Sequence, residues 1–145
     1  MGISYIISYD ELAMLAELVQ VNSFEYLNPL PALNAEKRKE LLDILENQGF
    51  IKIYDMVQID AVIHFIIKSM ANAELVLPLD EKIIGYCTKN IFILVTSDEK
   101  TGHKLRITPI ETVREAVEVL AQFSDNENEL YEKIRKVYIK GAEHD

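Results

Sequence analysis

The chain has 145 residues, of which 49% are hydrophobic and 27% charged, and its formal net charge is -9. This length and balance fit a single globular domain over residues 1–145, and they exclude an intrinsically disordered chain and two large domains. The longest nearly apolar runs, such as Ile63–Ile67 and Ile91–Val95, are far too short to cross a bilayer. We therefore expect no membrane partner.

The net charge indicates which classes of partner the chain can bind, and the single cysteine indicates its cellular compartment. Fifteen basic residues against 24 acidic ones give the wrong sign for a surface that binds phosphates. The first residues show no basic stretch and no small-residue cleavage site, and Cys87 cannot form an internal disulfide. These features predict a cytoplasmic protein, and no nucleic-acid partner is expected.

The first predicted element is a helix. Ser8 followed by Glu11 is a capping-box pattern, and apolar residues recur after it at helical spacing. A helix is therefore expected over Tyr9–Val21. The next stretch, Asn22–Leu33, contains two prolines among apolar residues and is predicted to be an irregular linker.

A second helix should follow the linker. Asn34 can cap it, and Gly49 supplies the left-handed residue that ends it. The expected buried stripe consists of Leu41, Leu42, Ile44 and Leu45. A short extended piece, Phe50–Tyr54, is predicted directly after this helix.

A third helix is predicted over Ala61–Met70, capped by Asp60. It is apolar on nearly all sides, so it should be the central core helix or part of an interface. His64 lies in this helix with no nucleophile nearby, which favours a structural histidine over a catalytic one. A small-ligand pocket around His64 and Phe65, between this helix and the sheet, is a further possibility.

Four extended segments then predict an antiparallel meander from Leu75 to Thr108. The segments are Ala73–Leu79, Lys82–Thr88, Ile91–Thr96 and His103–Thr108. The two residues Lys89–Asn90 separate the second and third segments, which is typical of a tight hairpin. The five residues Asp98–Gly102 lie between the third and fourth segments, which is typical of a bulged hairpin loop.

Two helices should close the chain. Thr108, Pro109 and Glu111 combine a capping hydroxyl, a proline at the first helical position and a capping-box glutamate. Ser124 should begin the last helix, which ends at Gly141. The predicted fold class is therefore α+β, with N-terminal helices, a four-stranded antiparallel meander and two C-terminal helices that cover one sheet face.

Residues that could carry chemistry stand apart in the sequence. Cys87 has no neighbouring base, and His64, His103 and His144 have no second ligand at a metal-binding spacing. The glycines are scattered singly, so no phosphate-binding loop is present. We expect no catalytic, cofactor-binding or metal site and no enzyme. Gly85 within a strand is typical of a bulge, with close approach to a ligand as the alternative.

The segment from residue 9 to residue 54 resembles part of a winged-helix domain. The helix that opens with Leu33-Asn34-Ala35-Glu36 and ends in Gly49-Phe50-Ile51 is similar to the helix that leads into the wing of that family. The resemblance implies a transcriptional regulator that binds DNA as a dimer through Lys37-Arg38-Lys39. The chain departs from the family in having no basic wing, and this helix carries four carboxylates against three cations.

The order of elements also resembles the EspG-type chaperones of type VII secretion. Those proteins are cytoplasmic, and helices flank an antiparallel sheet in an α+β fold. This resemblance implies a chaperone-like role for a secreted partner. It assigns no functional residue.

By elimination, the sequence favours a non-enzymatic cytoplasmic binding or adaptor protein that acts through protein–protein contacts with an unknown partner. A homo-oligomer is expected through the third helix and the closing apolar stripe Leu130–Tyr138. Five tyrosines outside the periodic core are candidates for a partner surface: Tyr5, Tyr9, Tyr26, Tyr131 and Tyr138.

Overall fold

The helices and strands follow the predicted α+β class. The computed structural model describes residues 4–27, 30–80, 83–98, 104–122, 129, 132–134 and 136–137. In chain order the elements are β1 (Tyr5–Ile7), α1 (Tyr9–Leu18), α2 (Ala35–Asn47), β2 (Ile51–Ile53), β3 (Val57–Ile59), α3 (Ala61–Ala71), β4 (Leu75–Asp80), β5 (Ile83–Cys87), β6 (Phe92–Asp98), β7 (Lys104–Ile110) and α4 (Val113–Leu120). The chain divides into two compact units, Ile7–Ala71 and Met1–Ile6 with Asn72–Asp145, which are taken in turn.

In the Ile7–Ala71 unit, α1 begins at the predicted capping box. The hydroxyl of Ser8 accepts a hydrogen bond from the backbone N–H of Glu11 (3.0 Å), and the Glu11 carboxylate accepts one from the Ser8 N–H (3.4 Å). The helix ends at Leu18, earlier than predicted, since Gln20 adopts a left-handed φ of 62°. Residues 11–16 of α1 are all buried.

The second helix has both predicted ends. The Asn34 side chain accepts from the backbone N–H of Lys37 (2.7 Å), and Gly49 adopts a φ of 81° after the last turn. Leu41 and Leu45 are buried, whereas the other two residues of the predicted stripe are only partly buried. The buried side of α2 is therefore narrower than expected.

A small hairpin joins α2 to α3, where the sequence predicted one extended piece. β2 and β3 pair antiparallel, with Ile53 opposite Val57, so residues 54–56 form the turn. The Asp60 N–H donates to the Phe50 carbonyl (2.8 Å) at the open end. These contacts fix the hairpin to the start of α3.

The third helix has one buried and one exposed side. The Asp60 carboxylate caps it by accepting from the N–H groups of Val62 (3.1 Å) and Ile63 (3.2 Å). The buried side consists of Ile63, Ile66, Ile67 and Met70. Val62 and Phe65 lie on the other side and are 53% and 47% exposed. α3 therefore belongs to the core through one side, and the predicted alternative, part of an interface, stays a prediction for the exposed side.

The second unit is built on a five-stranded sheet in the order β1-β7-β6-β5-β4. β4 to β7 form the predicted antiparallel meander, and β1 is an additional strand that was not predicted. Ile134 and residues of α4 pack on the face that contains Cys87, Phe92 and Ile110. The other face contains Ile84, Tyr86, Ile93, Val95, Leu105 and Ile107, all buried.

The start of α4 differs from its prediction. Thr108 and Pro109 belong to β7, and Thr112 caps the helix by accepting from the N–H of Glu115 (3.2 Å). The strand continues because Ile110 is buried in the sheet core. A second Thr-x-x-Glu pattern, Thr112 to Glu115, begins four residues after the first one and starts the helix.

Gly85 also has a different role from the predicted one. The register of β5 with β4 and β6 is regular at Gly85, and the irregular step lies between Pro78 and Asp80. A Cβ atom at Gly85 would lie 2.5 Å from Cζ of Phe92. The glycine therefore accommodates an aromatic ring of the same sheet, and the expected bulge at this position was wrong.

Some predictions fall on residues outside the described part of the chain. These include most of the loop Asp98–Gly102, His103 and His144, and both predicted ends of the last helix, Ser124 and Gly141. The described residues 129, 132–134 and 136–137 are helical, as expected there.

Candidate functional site

The only cysteine is not placed for chemistry. Cys87 lies at the end of β5 with no exposed surface, and its thiol is 3.8 Å from the Thr88 carbonyl. Burial, together with the charge of Glu74, raises the pKa of the Cys87 thiol to about 12. The thiol is thus protonated at neutral pH and is a poor nucleophile or metal ligand.

The histidines and carboxylates give no metal cluster among the described residues. His64 is exposed on α3, and the other two histidines lie outside the described part. The structure gives no arrangement of nucleophile, base and orienting group on the residues that it describes around His64 or Cys87.

The DNA contact that the resemblance implied consists of three cations of α2, Lys37, Arg38 and Lys39. Arg38 forms a two-point ion pair with Glu17, in which its Nε atom lies 2.9 Å from Oε2 and its Nη2 atom lies 2.9 Å from Oε1 of the carboxylate. This hydrogen bond and the charge of Glu17 raise the pKa of Arg38. Lys37 lies 3.6 Å from Asp10 and 3.9 Å from Glu40. Two of the three cations therefore have carboxylates beside them within the chain.

The exposed side of α2 is acidic. It carries Glu36, Glu40, Asp43 and Glu46, and Lys39 is the third cation of the cluster. Within the described residues no carboxylate forms an ion pair with Lys39. Because its four carboxylates outnumber its three cations, the helix has a net negative charge, which repels a phosphate backbone.

A pocket of about 390 Å³ lies between the end of α1, the linker and the start of α2. Ala13, Val21 and Leu33 supply part of its apolar lining, and the ion pair of Glu17 with Arg38 forms part of its polar wall. His64 and Phe65 do not line this pocket. The paired charges leave its wall without a net charge to attract an ion.

Among the residues that the structure describes, the large apolar side chains that are exposed are concentrated between residues 53 and 65. Tyr54 (70%) and Met56 (69%) lie on the turn of the β2–β3 hairpin, and Ile53 (37%) ends β2 directly before the turn; we call these three residues the hairpin tip. The Tyr54 N–H donates to the Met56 carbonyl (3.1 Å) within the turn. The Ile53 N–H donates to the Glu46 carboxylate (3.1 Å), which joins the hairpin to α2.

The aromatic residues that the sequence predicted for a partner surface lie elsewhere in the chain. Of its five tyrosines, Tyr26 is 56% exposed, whereas Tyr5 and Tyr9 are partly buried, and Tyr131 and Tyr138 lie outside the described residues. The hairpin tip was missed. Its signal in the sequence is a pair of large apolar residues on either side of an aspartate, at positions where a turn usually has polar residues.

The comparisons with known proteins do not place this chain in a family. No protein-family model matches it, and neither does any curated protein. Among the described residues there is also no helix with the length and apolar character needed to span a bilayer.

Proposed function

We propose that this chain is a non-enzymatic binding protein that acts in the cytoplasm through protein–protein contacts, and that the hairpin tip contacts its partner. The observation that carries the proposal is the joint exposure of Ile53 at the end of β2 and of Tyr54 and Met56 on the turn that follows. Large apolar side chains grouped on a surface are typical of interaction sites. Tyrosine and methionine are also enriched at the centres of protein interfaces.

The setting of the hairpin supports the proposal. Its turn is closed by the bond from Tyr54 to Met56, and Glu46 holds β2 by the bond to Ile53. A turn that is ordered before binding loses less conformational entropy when a partner covers it. The hairpin tip is thus suited to enter an apolar groove of a partner, including a secreted client of a chaperone-like protein.

A DNA-binding regulator is the alternative, and the β2–β3 hairpin favours it because it follows α2 where a wing would lie. The charges count against it, since the exposed side of α2 is acidic and Lys52 is the only cation of the hairpin. We expect no binding to duplex DNA at physiological salt, measured by fluorescence anisotropy. Salt-sensitive binding that Lys39→Glu abolishes would favour the regulator instead.

Affinity purification with a paired variant tests the main proposal. The chain is tagged in cells that express it naturally, as wild type, as the double variant Tyr54→Asp with Met56→Asp, and as Gln58→Asp. Gln58 is exposed on β3 opposite Lys52, so the control adds negative charge to the same hairpin without removing an apolar contact.

A protein that purifies in stoichiometric amount with the wild type and with Gln58→Asp, and is lost from the double variant, would support the proposal. Circular dichroism should show the same helix content in all three chains, because the changed side chains are exposed. Equal recovery of that protein with the double variant, or no stoichiometric protein at all, would contradict it.

A further inference from the structure

The exposed side of α3 is largely apolar and carries no carboxylate, on an acidic protein. Phe65 lies at its centre with the exposed His64 beside it; Ala61 and Val62 lie one turn before Phe65, and the half-buried Lys68 and Ser69 lie one turn after it. We call these six residues the α3 face. The helix contains no aspartate or glutamate, although the chain has 24 acidic residues.

The other described helices present a different charge to solvent. The exposed side of α2 carries four carboxylates, and Glu17 of α1 and Glu118 of α4 are exposed as well. A surface that meets a copy of itself doubles every like charge that it carries. Of the four helices α1 to α4, α3 is therefore the one that can contact its own copy without repulsion between carboxylates.

The charges at the two ends of α3 are also complementary to each other. Asp60 lies at the first end and Lys68 in the last turn. A two-fold axis beside Phe65 and perpendicular to α3 would set two copies of the helix antiparallel. Lys68 of each copy would then lie toward the end of the other helix at which Asp60 is exposed, so two equivalent pairs of opposite charge would flank a central contact between the Phe65 rings.

We propose that the α3 face binds a second copy of this chain as an antiparallel, two-fold symmetric contact. The closing stripe that the sequence suggested is less suitable, because Ile134 and Val137 pack against the sheet of their own unit. The proposal goes beyond the proposed function, since it leaves the hairpin tip free for a different partner. An 11-residue helix is about 16 Å long, so the contact is small and we expect micromolar dissociation.

Sedimentation equilibrium over the micromolar range tests this contact. The wild type should pass from monomer to dimer, and Phe65→Asp, which places two like charges beside the axis, should stay monomeric. Asn47→Asp adds the same charge to the exposed side of α2 and should dimerise like the wild type. Lys68→Glu should weaken the dimer by about 5- to 10-fold, because it places a carboxylate beside each Asp60.

Disulfide trapping gives a second measurement that does not depend on a loss of association. Phe65→Cys should form a covalent dimer in oxidised glutathione, whereas Asp43→Cys, exposed on α2, should not; the native Cys87 is buried in both. A wild type that stays monomeric throughout, a dimer unaffected by Phe65→Asp, or equal trapping through position 43 would each overturn the proposal. The double hairpin variant should dimerise normally, which separates this result from that of the proposed function.

Discussion

Two hairpins of this chain have similar apolar content and opposite exposure. In β5 and β6, Ile84–Cys87 and Phe92–Val95 are buried without exception. In β2 and β3, Ile51 is the one buried residue of six, and the turn exposes Tyr54 and Met56. Hydrophobic composition alone therefore does not decide which hairpin belongs to the core.

The difference comes from the neighbours of each hairpin. β4 and β7 flank β5 and β6 on both sides, and residues of α4 cover one face. β2 and β3 form a sheet of two strands on the described part of the chain. An isolated two-stranded sheet is marginal in water, so the second hairpin depends on its bonds to α2 and the start of α3. The first hairpin therefore contributes to stability, and the second is the one for which we propose a role in binding.

The largest effect should follow from removing the ring at the centre of the buried hairpin. Phe92 has no exposed surface and lies in the cluster with Cys87 and Ile110. Phe92→Ala should lower the free energy of unfolding by about 3–5 kcal/mol, because it leaves a cavity in a packed core. Urea denaturation followed by circular dichroism measures this change. A loss below about 1 kcal/mol would show that the sheet core can collapse around the site.

A smaller effect should follow from adding one methyl group beneath that ring. Gly85→Ala places a Cβ atom where the Phe92 ring lies, and we expect a loss of about 1–3 kcal/mol from overpacking. The loss should be smaller in a Phe92→Leu background, where the shorter side chain leaves room. A double-mutant cycle by urea denaturation measures the coupling. Additive losses would mean that the ring does not limit the space at Gly85.

The pH dependence of stability should also distinguish the buried β5–β6 hairpin from the β2–β3 hairpin, because β5 contains the buried thiol of Cys87. The folded chain holds the Cys87 proton up to a pKa of about 12, whereas the unfolded chain releases it near the ordinary value of 9.0. Between these values the unfolded state binds fewer protons, so this group lowers the unfolding free energy by about 1.4 kcal/mol for each pH unit above 9.

Cys87→Ala should remove this slope, and below pH 9 the thiol should make no pH-dependent contribution. The measurement is the difference between wild type and variant in urea denaturation at several pH values, which cancels the titration of lysines and tyrosines common to both chains. The range from pH 8 to pH 10 extends about one unit on either side of the ordinary thiol pKa. If the unfolding free energies of the two chains changed in parallel over this range, the thiol would ionise in the folded state near its ordinary pKa.

The elements that the sequence predicted well depend on local contacts. Ser8 and Asn34 cap their helices through bonds that span three residues, and Gly49 ends α2 through its own backbone conformation. The four strands of the meander are likewise joined to their neighbours in sequence. Patterns of this kind can be recognised without knowledge of the rest of the fold.

The features that the sequence missed depend on distant contacts. β1 joins β7 at the sheet edge, where the hydroxyls of Ser4 and Thr108 lie 2.8 Å apart across 104 residues of chain. Because β7 pairs with β1 at this edge, Thr108 stays in the strand, although its local sequence pattern is that of a helix cap. The exposure of Phe65 and of the hairpin tip also depends on what covers each element, which periodicity does not reveal.

The smallest effect on stability is expected at the hairpin tip. Tyr54→Ala should change the free energy of unfolding by less than about 0.5 kcal/mol, because the side chain is 70% exposed and its turn is held by backbone bonds. Set against Phe92→Ala under the same urea denaturation, this variant removes an aromatic ring of similar size from the other hairpin. A loss comparable to that at Phe92 would mean that the ring of Tyr54 is a packing element, and the hairpin tip would then no longer be available to a partner. A neutral result would leave the exposed ring with no role in folding, which is the condition that a binding residue on this turn has to meet.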